Sequence, residues 1–167
     1  MSLRNQPERL AELRRLMILD SKPERDFDEI TKGLAKKIGV PITMINLLDE
    51  SRDWFKSWVG MPVSESPSTT SFCERFLDSD VPFIVSRDTT KDERFAQNPF
   101  VTGEPHIRFY AGARLVANGH TIGTLCAYDF APRDLDEGEI EALLVMAAAV
   151  VDTLGKRAHE GHRVPGS

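Results

Sequence analysis

The residues of this 167-residue chain best able to do covalent or metal chemistry are two cysteines and four histidines. His106, His120, His159 and His162 show no ligand spacing with Cys, Asp or Glu on a recognisable zinc or iron scaffold, so no metal site is expected. The chain carries no Gly-x-Ser-x-Gly elbow, no phosphate-binding loop and no Rossmann fingerprint. Its acidic residues cluster in turns and helix starts, where solvation and capping account for them. Cys73 falls near the amino end of an expected helix, a position where the helix dipole lowers a thiol pKa and favours the reactive thiolate. Cys126 lies mid-strand between Leu125 and Ala127 and reads as a small core residue.

The elements that must position these groups are legible from periodicity and turn chemistry. Two runs rich in aromatic and β-branched residues, His106 to Val116 and Thr121 to Asp129, flank Asn118-Gly119, the pair that most readily supplies the positive φ angles of a tight hairpin. The preceding loop, Phe95 to Pro105, is broken by Pro99, Gly103 and Pro105, and a broken loop beside a central hairpin is a common place for a binding site. Pro7 suits the first position of a helix with Leu10, Leu13, Met17 and Ile18 on one face. Ser21 and Glu24 have capping-box spacing for a second helix, in which Phe27, Ile30, Leu34 and Ile38 repeat until Gly39 and Pro41 stop it. Ile42 to Leu48 is an almost unbroken apolar run, which predicts a strand covered on both faces, and Trp54 to Val59 predicts the next strand.

From Gly60 to Thr70 prolines, serines and threonines predict a surface loop. Ser71, with Glu74 three residues on, predicts a short helix through Leu77. Val81 to Ser86 reads as a short strand, and Asp88 to Phe95 as an irregular or single-turn segment. Asp136 and Glu139 form an acidic capping box for a last helix whose apolar face is Ile140, Leu143, Leu144, Ala147, Val151 and Leu154; from Asp136 to Arg157 it would be about 30 Å long. This order implies an α+β fold with a central, largely antiparallel β-sheet of five to six strands. The terminal helices would pack on one face, and a helix plus loops would cover a pocket on the other.

At 167 residues and 41% hydrophobic, the chain suffices for one substantial core. Residues 1–6 and 159–167 have the composition of flexible tails around a single domain over 7–158. A net charge of −5 and a pI near 5.4 give no broad basic field, so nucleic acid is not an expected partner. No apolar run approaches the roughly 20 residues of a membrane helix and the amino end lacks a signal-peptide pattern, so no membrane partner and a cytoplasmic location are expected. Reduced thiols are expected for the same reason.

The run Asn98-Pro99-Phe100-Val101-Thr102-Gly103-Glu104-Pro105, continued by His106-Ile107-Arg108-Phe109-Tyr110-Ala111-Gly112-Ala113 and then Gly123-Thr124-Leu125-Cys126-Ala127-Tyr128-Asp129, closely resembles the GAF domains of bacterial two-component and cyclic-dinucleotide signalling proteins. The match extends through Trp54-Phe55-Lys56-Ser57 and Ser71-Phe72-Cys73 and covers about Glu8 to Leu154. One departure is Arg114, where such relatives often carry proline; the extra charge is expected to alter a strand edge and leave the pocket alone. The resemblance implies a GAF/PAS-like sensor module, non-catalytic and without a cofactor, that binds an unidentified small molecule. It also implies a homodimer through the terminal helices and relay of ligand or redox state to a kinase, cyclase or phosphodiesterase output. Candidate ligand-binding residues are Phe72, Cys73, Asn98, Phe100, Phe109, Tyr110, Cys126 and Asp129, with the inward member of the Phe109–Tyr110 pair left open because strand neighbours face opposite ways.

Specialised members of the family are less well matched. The cyclic-nucleotide binders carry Asn-Lys-x-Phe-Asp-Glu, of which only Phe27-Asp28-Glu29 is present, on a different element. Bilin binders commonly place histidine after the attachment cysteine, whereas Glu74 follows Cys73 and Ala127 follows Cys126. The several-cysteine arrangement of the free methionine sulfoxide reductases is not found. A reductase-like enzyme and a ligand-free dimerisation or interaction module are the alternatives to a sensor.

Overall fold

In the computed structural model, which describes residues 3–161, the apolar run Ile42–Leu48 is strand β1, buried along its whole length. It pairs with β2, Arg52–Val59, and with β6, His120–Asp129, which in turn pairs with β5, Phe109–Ala117. The short edge strands β3, Glu65–Pro67, and β4, Phe83–Ser86, complete a six-stranded antiparallel sheet in the order β3-β2-β1-β6-β5-β4. The β5–β6 turn has φ of 48° at Asn118 and 80° at Gly119, the two positive angles that a type I′ hairpin requires. Among the described residues no helix is long and apolar enough to cross a membrane.

Period-two alternation sorts the central strands into two cores. Ile45, Leu47, Trp54, Phe109, Ala111, Leu115, Leu125 and Ala127 face the helices α1, Pro7–Arg15, α2, Arg25–Ile38, and α4, Glu137–Gly161. Ile42, Met44, Phe55, Tyr110, Cys126 and Tyr128 face the other way, toward Phe72, Phe76, Phe95, Val101 and Ile107 of the connecting segments. α4 begins with the expected capping box: Glu139 N–H donates to Asp136 Oδ1 at 2.7 Å, and Asp136 N–H donates back to Glu139 Oε1 at 3.1 Å.

Several element boundaries differ from the sequence expectation. α1 ends at Arg15 instead of continuing through Met17 and Ile18, because Met17 adopts φ 52° and Arg157 Nη1 caps the carbonyls of Leu16 and Met17 at 3.1 and 2.9 Å. α2 starts at Arg25, not Ser21, because the Ser21 hydroxyl is already engaged, donating to Ile18 O at 2.5 Å and accepting from Lys56 Nζ at 2.7 Å. The helix expected over 71–77 shrinks to a 3-10 turn, Cys73–Phe76. Ser71 Oγ does accept from Glu74 N–H at 3.1 Å, but the Glu74 carboxylate turns away to Arg4 Nε at 2.8 Å, which leaves half a capping box. The Pro-broken loop includes a four-residue turn, α3, Pro99–Thr102, because proline at the first helical position lacks only a donor that the helix does not use. Of the expected tails, Arg4 is buried and ion-paired to Asp53 at 2.9 Å, while Met1, Ser2 and residues 162–167 lie outside the described residues.

Lys56 sits where the β1–β2 register shifts, between Ile45 and Asn46, and its side chain is fully buried on the helix side. Its ammonium ties the chain before α2 to the sheet by donating to Ser21 Oγ, to Lys22 O and to Glu24 Oε2 at 2.5 Å. Glu24 also accepts from Arg157 Nε of α4 at 2.7 Å, so one carboxylate joins β2, α2 and α4. Burial opposes the Glu24 charge, but Lys56 and Arg157 overcome it and hold its pKa below the ordinary carboxylate value. A depressed carboxylate contributes stability that is complete above the unfolded-state pKa of about 4.3 and is lost as pH falls through the lower folded value. Glu24→Gln should therefore destabilise the protein at neutral pH by about 1 kcal/mol, since the site is partly open to solvent, and the difference should shrink toward zero at an acid pH below the folded value. Urea unfolding at the two pH values checks this; an equal deficit at both would disprove the charge-based account.

Candidate functional site

The sheet face opposite the helices is covered unevenly. At the β5 end, Phe72, Phe95, Tyr110 and Tyr128 form a dense aromatic cluster: Phe72 stacks on Tyr110 at 5.3 Å between centroids and meets Tyr128 edge-on at 5.4 Å. Gly112 makes this possible, since a Cβ there would collide with the Tyr110 hydroxyl. At the β1–β2 end the cover stands off the sheet and leaves a cavity of about 400 Å³. Its floor is Ile42, Met44 and Asn46 of β1, Asp53 and Phe55 of β2 and Tyr128 of β6; Met61, Pro62 and Val63 form one side, and Phe72, Phe100, Pro105 and Ile107 the other. Asn98 shapes this wall from behind, accepting from Phe100 N–H at 2.8 Å and donating to Thr70 O at 3.1 Å.

One end of the cavity is polar. The Asp53 carboxylate, 2% exposed, accepts from Arg4 Nη2 at 2.9 Å and from Asn46 Nδ2 at 2.8 Å. Burial raises its pKa, against the pull of Arg4, Ser71 and Asn46. Arg4 uses its remaining donors on Glu74 and on the carbonyls of Asp49 and Arg52. Burial disfavours its charge too, but Asp53 and Glu74 outweigh that and hold its pKa above the usual arginine value. Arg9 in turn donates to Arg4 O, and burial together with repulsion from Arg4 lowers its pKa to about 10.

The two cysteines lie behind the Phe72–Tyr128 wall, fully buried, with Sγ atoms 3.9 Å apart. Cys73 Sγ accepts from Thr124 Oγ1 at 2.8 Å and lies 3.3 Å from the Tyr110 hydroxyl. Burial works against a Cys73 thiolate, yet hydrogen bonds from Cys126, Thr124 and Tyr110 bring its pKa below the ordinary thiol value; Cys126 is pushed well up by burial and by Cys73. Helix polarity plays no part, because the element at Cys73 is a single 3-10 turn.

Of the sequence candidates, Phe72 and Phe100 line the cavity. Cys73, Tyr110 and Cys126 share its sheet face but stand one layer back, and Asn98 positions the wall. Tyr110 is the inward member of its pair. Phe109 belongs to the helix-side core, under the Arg133 guanidinium at 5.7 Å, and Asp129 is spent on Arg133 at 3.2 Å and on the Phe130 N–H at 2.7 Å. Arg114 reaches away from the cavity and holds 76–81 by donating to the carbonyls of Phe76 and Ser79 at 2.6 Å and of Val81 at 2.9 Å. Sequence reasoning missed Asn46 and Asp53. The available signal was an asparagine inside a mainly apolar strand, on the same face as Ile42 and Met44.

The GAF domain family matches residues 22–154 of the chain. The chain belongs to the GAF domain family. Over 151 residues it is 36% identical to a cyclic di-GMP phosphodiesterase of Pseudomonas aeruginosa, an alignment that covers 87% of this chain and 26% of that protein. The chain thus spans about a quarter of the length of that curated relative. The GAF domain of an Acinetobacter phosphoenolpyruvate-protein phosphotransferase superimposes with a TM-score of 0.66 at 22% identity, covering 95% of this chain and 99% of that one. The free methionine-R-sulfoxide reductase of Neisseria meningitidis, in complex with its substrate, superimposes with a TM-score of 0.63 at 13% identity, covering 90% and 89%. At these identities the two structures share the fold.

Because both thiols are sealed in the aromatic layer, neither should react with a disulfide reagent in the folded GAF domain, and both should react at once in denaturant. Rapid labelling of Cys73 alone in the native protein would contradict this placement.

Proposed function

We propose that this GAF domain is a regulatory, non-catalytic module of bacterial cytoplasmic signalling that senses a small molecule in the β1–β2 cavity and relays its occupancy to a kinase, cyclase or phosphodiesterase output. The observation that carries the reading is the cavity itself: about 400 Å³, mainly apolar, with a few buried polar groups gathered at one end, the make-up of a small-molecule site. The sequence likeness to a phosphodiesterase of cyclic-dinucleotide signalling supports the regulatory setting. The position of the cysteines supports a non-catalytic role: a thiol enzyme needs its sulfur against the substrate, and Cys73 and Cys126 are separated from the cavity by Phe72 and Tyr128.

The polar end also supplies a route outward, since Asp53 is joined through Arg4 to the backbone just before α1. The outer face of α4 carries Val145, 62% exposed, beside exposed Ala148 and Ala149, which suits a symmetric dimer through the terminal helices. Val63 stands at the cavity mouth, 46% exposed, so a larger side chain there can close the mouth without entering either core. In a metabolite-library melt, the wild-type domain should be raised several degrees by at least one compound, and Val63→Trp should keep its unliganded melting temperature while losing that response. Sedimentation of the same samples should give a dimer at tens of micromolar. A response that survives Val63→Trp would place the ligand elsewhere, and no response to any compound would favour a ligand-free interaction module.

A further inference from the structure

We propose that the polar end of this cavity recognises one hydrogen-bond donor, an N–H or O–H, on an uncharged and otherwise apolar molecule, and that Asn46 Oδ1 is the acceptor. The inference rests on the cavity being the ligand site. Asn46 is 1% exposed, and its Nδ2 donates to Asp53 Oδ2 at 2.8 Å. Asp53 is itself an acceptor for Arg4, so the amide is held with its nitrogen toward the carboxylate and cannot turn over without setting oxygen against oxygen. Asn46 Oδ1 is then left as a buried acceptor without a donor. Buried polar atoms are seldom left so, because the unmade bond costs free energy that a suitable partner restores. Asn46 lines the cavity, so a donor on a molecule pressed against that end would satisfy it.

The charges around the cavity decide the rest of the ligand's chemistry. Among the described residues no lysine, arginine or histidine lines it. Its two acidic residues are Asp53, already paired with Arg4, and Glu104, whose side chain is 90% exposed at the rim. A phosphate or carboxylate would therefore enter an apolar space beside carboxylates with no counter-charge, which excludes anionic ligands, cyclic nucleotides among them. The apolar floor of Ile42, Met44 and Phe55 and the edge of Phe72 suit a flat hydrocarbon or heteroaromatic body. Arg4 and Asn46 Nδ2 already occupy the Asp53 carboxylate, so Asn46 Oδ1 is the acceptor this network leaves for a ligand donor.

Three probes of matched shape test this by calorimetry: naphthol, its methyl ether, and naphthoate. The wild-type domain should bind naphthol about tenfold or more tightly than the ether, and naphthoate should not bind. Asn46→Leu, which keeps the branched outline at Cγ but removes the acceptor, should bind both neutral probes alike, and Val63→Trp should bind none. Equal binding of naphthol and its ether by the wild type overturns the donor inference while leaving the cavity a ligand site. A preference that persists in Asn46→Leu overturns the role of Asn46, and binding of naphthoate overturns the exclusion of anions. If neither neutral probe binds, the donor inference fails, and the metabolite-library melt decides the sensor reading separately. Should Asn46→Leu not fold, the wild-type ratio decides the donor inference alone.

Discussion

A sheet whose central strands are apolar on both faces must be covered twice, and this requirement governs the rest of the molecule. β1 is buried at every position and β6 over most of its length, so neither face can be left to water. Three helices meet the demand on one side with regular, closely packed ridges. The other side is covered by what lies between strands: loops, short helical turns and a Pro-rich return. Irregular backbone must keep its own polar groups satisfied and cannot follow a sheet surface as closely as a helix face does. Where it follows, the aromatic cluster results; where it stands off, the cavity results.

The irregular cover is held by polar side chains, two of them arginines anchored outside it. Arg114 ties down 76–81, Asn98 ties α3 to the carbonyl of Thr70, and Arg4 reaches from before α1 to clasp Asp53, Glu74 and the β1–β2 turn. Each arginine makes several bonds from one planar group, which gives directional support that a lysine could not supply. The cavity roof, the floor and the amino-terminal segment are consequently linked through a few buried ions.

Most of the architecture was legible in the sequence because it depends on local patterns. Ile42–Leu48, the Asn118-Gly119 turn and the Asp136–Glu139 cap carry their own signals. Ser21–Glu24 and Ser71–Glu74 have the same spacing as a capping box, yet Lys56 recruits both members of the first pair and Arg4 one member of the second, and a partner tens of residues away leaves no trace in the local spacing. The cavity was less legible for a related reason. The motif-rich stretch from 98 to 129 drew attention to residues that build the wall, while the floor comes from β1 and β2, where one asparagine among aliphatics and one aspartate at a strand start were the only marks. Alternation on β5 required that Phe109 and Tyr110 part company but could not say which core each would join; the packing of α4 against β5 decides it.

The central claim, that the space over β1 and β2 is a ligand site and not merely imperfect packing, is tested most directly by native mass spectrometry of the domain purified without refolding and re-exposed to a metabolite extract. The account predicts a discrete small-molecule adduct on the wild-type protein that is absent from Val63→Trp. The bare chain mass in both, before and after exposure, would contradict it.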